Sequence, residues 1–128
     1  MLEVFLVGIG GFAGCVLRYL ATRAAGAWMP EFPLGTLGVN AVASFLAGAL
    51  LAATGAAVLS EHLRLLASVG FCGGLSTFSA FSAETLSLLR QGDFLSASAN
   101  AVLNVALSLA CVAAGYCLAS LCISHTAN

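Results

Sequence analysis

Apolar residues fill four long stretches of this chain, from about Leu2 to Ala24, Leu34 to Leu59, Leu63 to Leu89 and Phe94 to Cys122. Each is long enough to cross a bilayer as a helix, which takes about 20 predominantly apolar residues. The polar positions inside them are periodic. In the second stretch Thr36, Asn40, Ser44 and Gly48 recur every four residues, and in the fourth Asn100, Asn104 and Ser108 do the same, followed by Gly115. That spacing predicts one polar stripe down each of two helices. The first stretch carries Gly10 and Gly14 at the small-xxx-small spacing that lets helix backbones approach closely. A turn is expected from Gly26 to Pro33, with two prolines and with Trp28 suited to the headgroup boundary.

The third stretch reads differently. At 1.5 Å per residue it would be roughly 40 Å long, more than a ~30 Å hydrocarbon core requires. Its middle reads Gly-Phe-Cys-Gly-Gly-Leu-Ser-Thr-Phe-Ser-Ala-Phe-Ser-Ala-Glu from Gly70 to Glu84. Glycine costs about 1 kcal/mol relative to alanine inside a helix, so a break is expected at Gly73 to Ser76. At membrane depth, irregular backbone is tolerated where it is buried in protein or lines a polar cavity. Beyond the break Phe78 and Phe81 share a face, with Ser82 beside the first ring and Glu84 close behind the second. Phenylalanines at this spacing normally pack, yet these are set among Ser76, Thr77, Ser79 and Ser82 rather than leucines. Glu84 is either a functional acid or one that snorkels to the interface.

Composition sharpens the class. Of 128 residues 61% are hydrophobic and 7% charged, which no soluble domain of this size needs. The expected fold is an all-α membrane protein, one four-helix domain over residues 1–128, with nothing left for a soluble catalytic domain. Lysine is absent, and four arginines face five carboxylates for a net charge of −1, which argues against nucleic acid. The five cysteines lie in apolar runs without metal-ligand spacing and read as small hydrophobes. The first charge is Glu3 rather than a basic cluster, so the leading segment reads as a retained span. Arg18 reads as an interfacial anchor or as a vestibule charge that attracts anions, while His62 and His125 read as solvated loop and tail residues. Asn40 reads as a helix-to-helix hydrogen bond or as a donor to a ligand.

No span centre carries a full charge, so any permeating ion must be handled by amides, hydroxyls, backbone groups and ring edges. Asn40 and the hydroxyls can donate to an anion, and the positive edge of a phenyl ring can face one. Carbonyls at the glycine break suit a cation. An ion must bind well enough to enter and weakly enough to leave, and this chemistry meets that condition.

Three sets of residues then carry a resemblance: Gly10-Gly11 with Gly14 and Arg18-Tyr19; Gly35-Thr36-Leu37 with Asn40; and Gly70 through Ser79 with Phe81-Ser82 and Glu84. In that order they resemble the Fluc (CrcB-type) fluoride channels. The resemblance implies a fluoride-selective channel of the bacterial inner membrane, a multi-pass protein that exports fluoride passively and relieves its toxicity. It implies a dual-topology homodimer of antiparallel subunits with two pores and a structural sodium ion at the central interface. Asn40 would donate to fluoride, Phe78 and Phe81 would line the pores, Thr77 and Ser108 would add polar contacts, and Glu84 would stand near a pore mouth. The Gly73 and Ser76 carbonyls would hold sodium. Two departures stand out: Ser76 where threonine is more usual, which leaves a carbonyl role untouched, and Asn100 and Asn104 in a fourth span that has no matching tyrosine. The rival readings are a small dual-topology proton-coupled multidrug transporter, which would want a carboxylate within the first span where this chain has only Glu3 at its end, and a structural subunit packed against a larger partner.

Overall fold

The computed structural model describes residues 1–28 and 31–126. Pro30 of the expected turn lies outside the described residues. Four helices long and apolar enough to cross a membrane make up nearly all of the described chain, and the protein is a multi-pass membrane protein. The elements are α1 (Leu2–Gly26), α2 (Leu34–Gly55), α3 (Glu61–Arg64), a π-helical stretch (Leu65–Cys72), α4 (Gly73–Leu75), α5 (Phe78–Arg90) and α6 (Phe94–Thr126). The third span is thus a composite running from Glu61 to Arg90.

The third span breaks, as its composition predicts, but not at its glycines. Gly70, Gly73 and Gly74 are all helical, and the interruption comes after them, where Ser76 (φ −76°, ψ 153°) and Thr77 (φ −152°, ψ 112°) are extended. Gly70 and Gly74 serve packing, whereas Gly73 faces open space. A Cβ on Gly10 would strike the Leu66 carbonyl oxygen, one on Gly14 the Phe71 carbonyl oxygen, and one on Gly74 the Gly11 carbonyl oxygen. α1 and the first half of the third span therefore meet backbone to backbone, the contact that small residues permit in lipid. α2 and α6 repeat this reciprocally, Gly48 against Val112 and Gly115 against Phe45. The widened turns of Leu65–Cys72 left no sign in the sequence; such π turns are frequent at functional sites.

α2 ends at Gly55, four residues before its apolar run does. Ala57 takes a left-handed φ of 56°, and the Ala57 and Val58 amides bond back to Thr54 and Ala53, closing the helix as a Schellman turn does. Other ends are capped by side chains. Ser60 accepts from the Leu63 amide at 3.3 Å, Thr77 from Ala80 at 3.1 Å and Asp93 from Ser96 at 3.0 Å. α6 runs one residue past His125, to Thr126, the last described residue, so this histidine sits on the last helical turn rather than in a tail. The core is small, Val39, Ala43 and Leu75 with Ala21 and Phe71 against them. Most large apolar side chains, Phe5, Phe12 and Leu95 among them, point outward, as hydrocarbon-solvated helices allow.

Candidate permeation site

Breaking a helix frees backbone groups, and in hydrocarbon each must find a partner. At the break Asn40 on α2 provides one. Its Oδ1 accepts from the Thr77 amide at 2.8 Å, and its Nδ2 lies 3.4 Å from the Thr77 carbonyl oxygen. The polar stripe of α2 is therefore wired into the interruption of the third span. The Thr77 hydroxyl caps α5 through Ala80 and lies 3.2 Å from Ser79 Oγ. On the other side of the break, Arg18 Nε donates to the Gly74 carbonyl at 3.1 Å. That contact joins α1 to the broken end and gives Arg18 a partner that neither sequence reading foresaw. The Gly73, Leu75 and Ser76 carbonyls belong to the same broken end, where the helix supplies no further donors. Gly73 and Ser76 are exposed, and a Cβ built on Gly73 meets nothing within 4 Å.

From Asn40 the polar contacts run on through α6. Asn40 Nδ2 donates to Asn104 Oδ1 at 2.9 Å, Asn104 Nδ2 donates to Asn100 Oδ1 at 2.9 Å, and Asn100 Nδ2 donates to Thr85 Oγ1 at 2.9 Å. The Thr85 hydroxyl then donates to the Phe81 carbonyl at 2.8 Å. Asn100 is 0% exposed and Asn104 5%, so these amides form the buried polar seam of α6. The sequence marked both asparagines but missed Thr85. The available signal was its place one turn after Phe81, on the helix that faces the α6 stripe.

Beside this seam lies an open groove of about 340 Å³, and Asn40, Thr77, Phe78, Phe81 and Ser108 all line it, together with Ser76, Ser44 and Asn104. The Phe78 and Phe81 rings have centroids 5.4 Å apart and are tilted by 56°. Phe78 is 78% exposed on the surface of the single chain. Among the described residues no charged side chain lines the groove. Glu84, by contrast, stands apart. It borders a larger cavity of about 600 Å³ that includes Glu31, Gln91 and Asp93, and Thr36 donates to its Oε1 at 2.6 Å while its buried Oε2 has no partner. Gly73 faces neither cavity. Outside the membrane spans, the Asp93 carboxyl is held below the usual carboxylate range by hydrogen bonds from Ser96.

Comparison with known proteins gives one consistent result. A family model for CrcB-like protein, Camphor Resistance (CrcB), matches residues 5–116. The fluoride-specific ion channel FluC of Pyrococcus furiosus is 48% identical over 119 residues, covering 91% of this chain and 95% of the relative. The FluC proteins of Geobacter sulfurreducens and Chlorobaculum tepidum are 43% and 44% identical, covering 85% and 94% of this chain and 90% and 97% of the relatives.

Proposed function

The chain belongs to the CrcB-like family, and from that premise we propose that it is a passive, fluoride-selective ion channel rather than an enzyme, exporting fluoride to relieve its toxicity. The observation that carries this reading is the groove itself, in which a tilted ring pair and several hydroxyls converge without a charged side chain. Hydrogen fluoride is a weak acid that crosses lipid as the neutral molecule and dissociates inside. A negative-inside potential then drives the anion out through a channel without further energy input.

Each residue has a stated task in this proposal. Fluoride is small and strongly hydrated, so the path must replace water donors one by one. Thr77 and Ser108 offer hydroxyls, and Asn40 offers the N–H whose contact with the Thr77 carbonyl is the longest of its set, 3.4 Å. Phe78 and Phe81 offer positive ring edges. None of these carries a full countercharge that would hold the ion too long. Glu84, bordering the neighbouring cavity, stands at a pore mouth.

The proposal extends to assembly and location: an antiparallel homodimer of single four-helix subunits in the inner membrane, with two pores and a sodium ion at its centre. Support for the sodium site comes from the chemistry of the broken end. Arg18 occupies the Gly74 carbonyl, and the Gly73 and Ser76 carbonyls are left as neutral oxygen donors of the kind hard cations take. Two subunits would supply four such oxygens. When bound, the ion would draw both broken ends together.

Purified protein in liposomes loaded with fluoride tests the channel reading directly. With a potassium ionophore to balance charge, a fluoride electrode should record efflux well above protein-free vesicles, while a chloride electrode should record none above background. Equal release of the two halides would overturn selectivity, and no fluoride release from folded protein would overturn the channel itself.

A further inference from the structure

The polar contacts around the groove run in one direction, and the backbone sets that direction. The Thr77 amide can only donate, so the Asn40 oxygen must face it at 2.8 Å and the Asn40 nitrogen must face Asn104. The same logic then orients the Asn104 amide toward Asn100 and the Asn100 amide toward Thr85. Each amide hands on its orientation. Thr85, having accepted from Asn100, spends its only hydrogen on the Phe81 carbonyl. The chain of bonds therefore begins at the residue before Phe78 and ends on the backbone of Phe81, bracketing the turn that carries both rings.

We infer that Asn100 and Thr85 are positioning residues, whose hydrogen-bonded relay through Asn104 and Asn40 fixes the ring-bearing turn of α5 and so sets the rate of fluoride passage. Neither lines the groove, and Asn100 is wholly buried, so neither touches the ion. Their effect is exerted through Asn40 at one end and the Phe81 backbone at the other. A plain helix-to-helix contact would be served by any donor and acceptor. This relay serves only if every member keeps both its giving and its receiving atom.

The inference rests on the fluoride-channel reading, and the experiment separates the two. Fluoride and chloride efflux from liposomes is measured for wild type, Thr85→Ser, Thr85→Val and Asn104→Leu, with elution volume and melting temperature checked for each. Thr85→Ser keeps the hydroxyl and should conduct within about twofold of wild type, whereas Thr85→Val keeps the shape without the hydroxyl and should lose about tenfold, the scale of one lost hydrogen bond. Wild-type flux in a folded Thr85→Val protein overturns the relay, as does a Thr85→Ser protein that falls as far as Thr85→Val. Should Thr85→Val not fold, Asn104→Leu decides: it must also lose flux, and wild-type flux there overturns the relay. Silence from wild type itself refutes the channel reading, not the relay.

Discussion

The two faces of the polar interior are built on opposite rules. On one, Asn40, Asn104, Asn100 and Thr85 are linked amide to amide and buried against α6, with each link at 2.9 Å. On the other, Phe78, Phe81, Thr77 and Ser108 line an open groove, and Phe78 is largely exposed. A satisfied polar network specifies structure, because leaving one member unpaired in a low-dielectric interior is costly. Groups with unused capacity can instead exchange partners with a passing ion. The difference assigns scaffold to one face and traffic to the other, and Asn40 and Asn104 are the residues that belong to both.

That division can be broken or sharpened by substitution. The largest effect is expected from Asn40→Leu, which orphans the Thr77 amide and the Asn104 oxygen together. At about 1–3 kcal/mol for each unsatisfied group, the melting temperature should fall steeply and flux should vanish with it. Gly73→Leu comes next. Because a Cβ there meets nothing within 4 Å in one chain, the subunit should still fold, yet the dimer should be lost if a second broken end sits against it; an unchanged dimer by crosslinking would refute the central sodium site. Thr36→Val removes the donor to Glu84 at 2.6 Å and should cost about 1–3 kcal/mol in thermal stability, with fluoride selectivity kept, since both residues lie away from the ring groove. The smallest effect belongs to Asp93, which lines neither the groove nor the relay. Its folded carboxyl is held below its ordinary range by Ser96, so its contribution is present above the unfolded value of about 3.9 and is lost as pH falls through the lower folded value. Thermal melts of Asp93→Asn against wild type should differ slightly at neutral pH and converge in acid.

Much of this was legible from the chain. The four spans, the two polar stripes and the existence of a break follow from period and composition, because membrane helices must satisfy their own backbone and mark every exception with polar residues; Thr77 and Ser108 were added to Asn40, Phe78 and Phe81 only by the family resemblance. The position of the break was not legible, since Gly73 and Gly74 look like helix breakers in isolation. What Gly74 faces is the backbone of α1, while Gly73 faces open space within the chain, and neither setting leaves a local signature. Leu65–Cys72 was equally silent, as an apolar run reads the same in α and π winding. The Arg18 bond to Gly74 and the place of Thr85 in the relay depend on partners 56 and 15 residues away, which spacing along one helix cannot reveal.

The central claim is that the ring edges carry fluoride and do not merely pack, and Phe81→Ile tests it most directly. Isoleucine keeps apolar bulk and removes the positive edge, and as a core swap it should cost under about 1.5 kcal/mol in stability. Fluoride efflux from liposomes is measured for this variant beside wild type, on protein of matched elution volume and melting behaviour. The account predicts that flux falls by about a hundredfold, the scale seen when a positioned electropositive contact is removed from a site that excludes water. Efflux at the wild-type rate from the folded variant would contradict it.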